Sequence, residues 1–192
     1  MSRAPGRRGD PLADTPDDAL FARMAAGDLA SLGELFDRYH AIVRQVVIRW
    51  LVDPAEVDDV VQETFLAASR AAASFRAGAS GRPFLIGIAA NLVRRRRRSF
   101  ARLRRMLEGL GQHPVESPPP TDERLAERAQ HMQLHAALAK LSERHRMVLV
   151  MVEFGEMSGV EAAQALGLPP GTVWRQLSEA RAELARRLGR AS

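Results

Sequence analysis

Apolar residues recur with a helical period along most of the chain, and the period breaks at only a few places. The first helix starts at Thr15-Pro16-Asp17-Asp18, with Thr15 as cap, proline at the first helical position and acids in the first turn. It carries Leu20, Phe21 and Met24 inward and ends at Gly27. Asp28 caps a longer helix, in which Leu32, Leu35, Phe36, Tyr39, Val43, Val46, Val47 and Trp50 keep the period to about Leu51. Asp53-Pro54-Ala55-Glu56 repeats the capping pattern. It opens a third helix, from Pro54 to about Ser74, with Val57, Val60, Val61, Thr64, Phe65 and Ala68 inward.

Small residues and two glycines interrupt the period across 74–82, which reads as a loop. Pro83 opens a fourth helix with Phe84, Leu85, Ile88, Ala89 and Leu92 apolar. Residues 109–120 hold Gly111, Pro114 and Pro118-Pro119-Pro120 and read as a semi-extended linker. A helix starting at Thr121 follows, with Leu125, Met132, Leu134, Ala137, Leu138 and Leu141 apolar. Ser142 caps the next, whose Met147, Val148, Val150 and Met151 are core-like, and Gly155 ends it.

The last stretch, 158–188, reads as a helix-turn-helix. Ser158 and Glu161 can close a capping box. The helix behind it has Val160, Ala163 and Leu166 on one side and stops at Gly167, where a left-handed residue is needed. Pro170 suits the first position of the second helix. There Val173, Leu177, Ala180, Leu184 and Leu188 form one apolar stripe. Thr172, Arg175, Gln176, Ser178 and Glu179 lie on the other side, with Trp174 on the flank. Such a pair suits a DNA major groove, but a plain helical hairpin with a solvated face has the same pattern.

The pattern therefore predicts an all-α protein of two small helical domains joined by a flexible linker. The expected division is a disordered tail over 1–14, an N-terminal domain over 15–105, a linker over 106–121 and a C-terminal domain over 122–190. Composition narrows the function. The net charge of +5 points to a polyanionic partner. With no cysteine, disulfides and Cys-ligated metal sites are excluded. No run is long and apolar enough to span a bilayer, and residues 1–16 lack the apolar core of a signal peptide, so a cytoplasmic protein is expected.

Three polar features carry candidate chemistry. Glu56, Asp58, Asp59, Gln62 and Glu63 make the outer face of the third helix acidic. Asp58 and Asp59 point about 100° apart, with no histidine at i+3 or i+4, which disfavours a metal or acid–base site. A solvated face or contact with a basic partner remains. The fourth helix runs into Arg94-Arg95-Arg96-Arg97-Arg98, and no acid occurs up to Arg105. The run is a solvated tail or a phosphate-binding surface. His131 and His135 stand at i, i+4, a possible metal pair that lacks a third ligand nearby.

Three segments resemble the extracytoplasmic-function sigma factors of bacterial RNA polymerase, in the family's order. Asp59-Val60-Val61-Gln62-Glu63-Thr64-Phe65-Leu66 is similar to the segment that docks on the clamp helices of the polymerase β′ subunit. Phe75-Arg76, Phe84-Leu85, Ile88-Ala89 and Asn91-Leu92 resemble the −10 promoter segment. Leu168-Pro169-Pro170-Gly171-Thr172-Val173-Trp174-Arg175-Gln176-Leu177 resembles the −35 promoter motif. Ser69 and Phe84 stand where the family usually has tryptophan, and Ser142 where it often has proline.

The resemblance implies a non-enzymatic factor without cofactor that binds core RNA polymerase and promoter DNA, with an anti-sigma factor as regulator. Asp59, Gln62 and Glu63 would bind the β′ clamp helices, while the C-terminal domain meets the β flap. Phe75, Arg76, Ser80 and Arg82 would hold a flipped base of the melted −10 element. Asn91, Arg94, Arg95 and Arg98 would track the DNA behind it. Gly171, Thr172, Trp174, Arg175, Gln176, Ser178 and Glu179 would read the −35 element, with Trp174 over the groove edge or the domain seam. Two readings compete: a stand-alone helix-turn-helix regulator, and more distantly a nuclease using Asp58, Asp59 and Glu63.

Overall fold

The computed structural model describes residues 12–51, 53–108 and 125–189, with the side chains of 100, 101, 103–108 and 125–131 left aside. Among the described residues there are eight α-helices and no strand. They are α1 (Asp17–Ala25), α2 (Leu29–Trp50), α3 (Val57–Arg70), α4 (Gly81–Glu108), α5 (Leu125–Ala139), α6 (Glu143–Glu153), α7 (Gly159–Leu166) and α8 (Pro170–Gly189). The expected tail over 1–11, most of the linker, residues 121–124 and the side chain of His131 lie outside the described residues.

Most helix ends follow from local chemistry. Asp28 accepts from the Ala30 N–H at the start of α2, and Asp53 from the Ala55 N–H ahead of α3. The Pro54–Glu56 turn before α3 is a 3-10 turn, and a second one, Ala72–Ser74, follows α3, so the α-helix is shorter than its apolar period. Ser158 and Glu161 form the expected capping box on α7, and Gly167 ends it at φ 65°. Two starts move. α1 begins at Asp17 with Pro16 as its cap residue, and α4 begins at Gly81 rather than Pro83. The Asp17 carboxylate lies behind the second shift, since it accepts from the Gly81 N–H.

Helices α1 to α4 pack around Phe21, Leu35, Val43, Val46, Val47, Trp50, Val60, Leu85 and Ala89, all buried. Each large side chain buried this fully contributes ~1.5–3 kcal/mol relative to exposure. Leu12 is buried as well, and the turn at 12–14, read as tail in the sequence, is tied to α2 by Arg38, which donates to the Leu12 and Ala13 carbonyls. Helices α5 to α8 pack around Leu138, Val148, Leu149, Met151, Val173, Leu177 and Ala180.

The two groups meet along α2 and α4. Gly87 of α4 faces Ala165 of α7, and a Cβ on Gly87 would stand 3.2 Å from the Ala165 Cβ. His135 of α5 places Nε2 3.0 Å from the Ile48 carbonyl and 3.2 Å from that of Leu51, at the C-terminal end of α2. The Arg49 guanidinium lies over the Phe154 ring, 4.2 Å from its centroid.

One helix face differs from its expected register. On α7 the buried side is Gly159, Ala162 and Ala163, while Val160 is 49% exposed. Small residues face inward because neighbours come close: the Trp174 ring lies where a Gly159 side chain would stand, 2.5 Å from the position of a Cβ.

Candidate nucleic-acid interface

On α3, Asp59 and Gln62 are exposed, as a docking face requires. Glu63 is half-buried, and its carboxylate accepts from Arg96 of α4 at 2.9 Å. Asp58 lies off this stripe and pairs with Arg44 at 3.2 Å. Leu66 was not singled out by sequence reasoning. It is 54% exposed and stands at i+3 from Glu63, so Asp59, Gln62, Glu63 and Leu66 share one stripe. An exposed leucine gives the acidic stripe an apolar C-terminal end.

The arginine run of α4 divides three ways, because successive helical residues point about 100° apart. Asn91, Arg95 and Arg98 are exposed and Arg94 half-buried, on one outward stripe. Arg96 turns to Glu63 across a cleft of about 330 Å³ between α3 and α4. Arg97 turns inward, toward Glu143 and Arg146 of α6. Arg146 is 3% exposed, and among the described residues no hydrogen bond or ion pair to its guanidinium occurs. Burial, and then Arg97, lowers its pKa to about 10. The stripe that can meet phosphates is therefore Asn91, Arg94, Arg95 and Arg98.

In the loop between α3 and α4, Arg76 and Ser80 are exposed, and Gly78 takes φ 74°. Phe75 is placed differently from its expected role. Its ring stacks on Phe21 at 4.0 Å between centroids and meets Phe84 edge-on at 5.2 Å. It is a packing residue beneath the loop, with its face already occupied. Arg82 pairs with Glu156, the residue between α6 and α7 whose backbone sits at φ 51°, at 2.7 Å. Any DNA contact by Arg82 competes with that pair.

On α8 the stripe of Val173, Leu177 and Ala180 is buried, as the period predicts. Gly171, Trp174, Arg175, Ser178 and Glu179 are exposed, and Thr172 is half-buried. Gln176 was expected to face away from the core. It is half-buried instead, and its Oε1 is enclosed without a hydrogen-bond partner. Glu179 sits 3.1 Å from Nε2 of His145, whose Nδ1 is 3.4 Å from Glu183. Trp174 is 51% exposed and covers the start of α7, rather than the seam between the two groups of helices. Among the described residues no cluster of His, Asp and Glu could hold a metal, and His135 is engaged with backbone carbonyls. No described helix is long and apolar enough to cross a membrane.

Comparison with known proteins fits this arrangement. Residues 35–103 match the sigma-70 region 2 family, and residues 131–184 the sigma-70 region 4 family. The RNA polymerase sigma factor NccH of Alcaligenes xylosoxydans xylosoxydans is 33% identical, over 88% of this chain and 92% of that one. The ECF RNA polymerase sigma factor SigM of Mycobacterium tuberculosis is 31% identical, over 90% of this chain and 85% of that one. The chain belongs to the extracytoplasmic-function sigma factors. The solved structure of the sigma factor CnrH, in complex with the cytosolic domain of CnrY, superposes with a TM-score of 0.70 at 29% identity. It covers 92% of this chain and 99% of that one. In this sigma factor the acidic stripe of α3 and the loop between α3 and α4 fall in the region 2 match, and α8 falls in the region 4 match as far as residue 184. A stand-alone helix-turn-helix regulator would leave the region 2 match unexplained.

Proposed function

We propose that this sigma factor docks on the β′ clamp helices of core RNA polymerase through Asp59, Gln62, Glu63 and Leu66. Its C-terminal unit then meets the β flap. The loop 75–82 holds an unpaired base of the −10 element. Asn91, Arg94, Arg95 and Arg98 hold backbone phosphates, and α8 reads the −35 element, chiefly through Arg175. The observation that carries this reading is the order of three unlike polar surfaces along one chain: an acidic stripe, a basic stripe and a helix-turn-helix. The proposed units are residues 15–105, with the 12–14 turn folded onto them, and 122–190, with a connection over 106–121 into which α4 extends as far as Glu108. The polymerase supplies the nucleotidyl-transfer chemistry, so the factor is not itself an enzyme, and it works in the cytoplasm. An anti-sigma factor is the proposed regulator, by analogy with the CnrH complex.

Run-off transcription with purified core polymerase tests the whole. Asp59→Arg with Glu63→Arg tests docking, because like charges across an interface cost on the order of several kcal/mol. The double variant should keep its helicity and fail to co-purify with core polymerase. Wild-type recovery would remove the docking assignment. Arg94→Ala with Arg95→Ala should weaken open-complex formation on all promoters alike and flatten its salt dependence, since phosphate contacts carry no sequence information.

A further inference from the structure

The loop between α3 and α4 is gripped from the far end of the N-terminal unit. Asp17, the first residue of α1, accepts at Oδ2 from the Gly81 N–H at 2.7 Å and from the Tyr39 hydroxyl. Its Oδ1 accepts from Arg38 at 3.0 Å. The neighbouring Asp18 accepts at Oδ2 from the Gly78 N–H at 3.3 Å. The two backbone contacts join residues 64 and 60 positions apart.

Gly81 is the first residue of α4, whose leading N–H groups have no acceptor within the helix. Asp17 supplies that acceptor from outside, in place of a capping residue next to α4 in sequence. The site is tight for anything beyond bare backbone, and a side chain at Gly81 would require its neighbours to give way. A Cβ on Gly81 would stand 3.0 Å from Tyr39 Cε2, 3.1 Å from Asp17 Oδ2 and 3.2 Å from Phe21 Cε2. The Tyr39 hydroxyl stays a donor, because burial and then the Asp17 carboxylate push its pKa to about 12. Arg38 is held in turn by Glu34 at 2.7 Å. Between Gly78 and Gly81 the side chains of Ala79 and Ser80 are exposed, with Ser80 beside the Tyr39 hydroxyl, so the loop has little apolar packing of its own there.

A carboxylate that only capped α4 would need Gly81 alone. Here two consecutive carboxylates hold two amides of one loop, one at its bend and one at its exit. We propose that Asp17 and Asp18 are positioning residues for −10 recognition, fixing the loop backbone in its base-accepting shape before DNA arrives. The proposal rests on residues 75–82 as the base-capturing segment. The residues touch no DNA. They act by sparing the loop an ordering step at the moment of binding.

The test uses full-length protein in holoenzyme with purified core polymerase, on a promoter library randomised across the −10 element. Asp17→Ala and Asp18→Ala are compared with wild type, with Asp17→Asn, and with a variant whose loop residues 77–80 are replaced. Asp17→Ala should lower the discrimination between strong and weak −10 sequences by about tenfold. Core affinity and −35 preference should stay at wild-type levels. Asp17→Asn, which can still accept from Gly81, should restore most of the discrimination. Hydrogen exchange should show faster exchange at the Gly81 amide in Asp17→Ala and at the Gly78 amide in Asp18→Ala.

A uniform loss on every promoter with the −10 ranking intact would overturn the proposal, since that is what a merely structural role predicts. So would unchanged exchange at both amides. If Asp17→Ala leaves the ranking intact while the loop replacement alters it, positioning fails and base capture stands. If neither alters it, base capture fails and takes the positioning role with it.

Discussion

The two elements proposed to meet DNA are built in opposite ways. The helix-turn-helix is closed by its immediate neighbours in sequence: Ser158 and Glu161 cap α7, Gly167 turns the chain and Pro170 starts α8. The loop proposed for −10 capture also turns at a left-handed glycine, Gly78, but two of its amides are held by Asp17 and Asp18, from another helix. A motif made of short-range signals carries its geometry wherever it sits. A loop clasped from afar depends on the rest of its domain being folded.

The largest expected effect breaks the local half. Val173 is fully buried, and Val173→Asp places an unpaired charge in the core of α5 to α8. We expect a loss of more than about 4 kcal/mol and unfolding of this part, read as lost helicity by circular dichroism. A helicity matching wild type would mean that α8 does not pack as described.

Next, Arg175→Ala should cost about 1–3 kcal/mol on the best −35 sequence and relax specificity at one or two positions. It should leave the −10 ranking untouched, the converse of Asp17→Ala. Transcription from a library randomised across the −35 element measures this. A change in the −10 ranking instead would join the two elements that the structure holds apart.

Ser158→Ala sharpens the contrast from the local side. Removing a cap hydroxyl costs about 1 kcal/mol, seen as a lower melting temperature. Because the change stays within the first turn of α7, the −10 ranking should be unaffected.

The smallest effect is a pH dependence. The Tyr39 pKa is raised from 10.0 in the free side chain to about 12 in the folded chain. The folded state therefore holds this proton more tightly, and the stability it adds is complete below pH 10 and lost as pH climbs toward 12. Tyr39→Phe lacks this group, so between those values wild type should lose more stability than the variant in chemical denaturation. Arg146, whose pKa is lowered, acts in the opposite direction and is common to both proteins.

How legible each part was follows from the same contrast. The helix-turn-helix, the caps at Asp28 and Asp53 and the inward stripe of α3 could be read because they depend on residues within a turn or two. Asp17 could be read only as a first-turn acid, since its partner Gly81 lies 64 residues away. Phe75 kept its place beside the loop, yet its ring turned to Phe21, a partner no periodicity could name. Gln176 and Val160 show the limit of a stripe. The period sets the centre of the buried arc, while the neighbour's size sets its edges. The arginine run looked uniform as a string, and only packing sorted Arg96 and Arg97 from the outward stripe.

Arg146 has one further consequence. Its side chain is largely buried, faces a second cation in Arg97 and has the field of Glu143 in its favour. Contact between α4 and α6 therefore withholds hydration from an ion, and separating them returns it. The seam resembles a latch under load, held by Arg82 with Glu156 and by His135 against the end of α2, and pressed open at Arg146. Salt acts on the two sides differently. The exposed Arg82–Glu156 pair is screened readily and the largely buried Arg97–Arg146 repulsion less so, so rising ionic strength weakens the tie more than the repulsion.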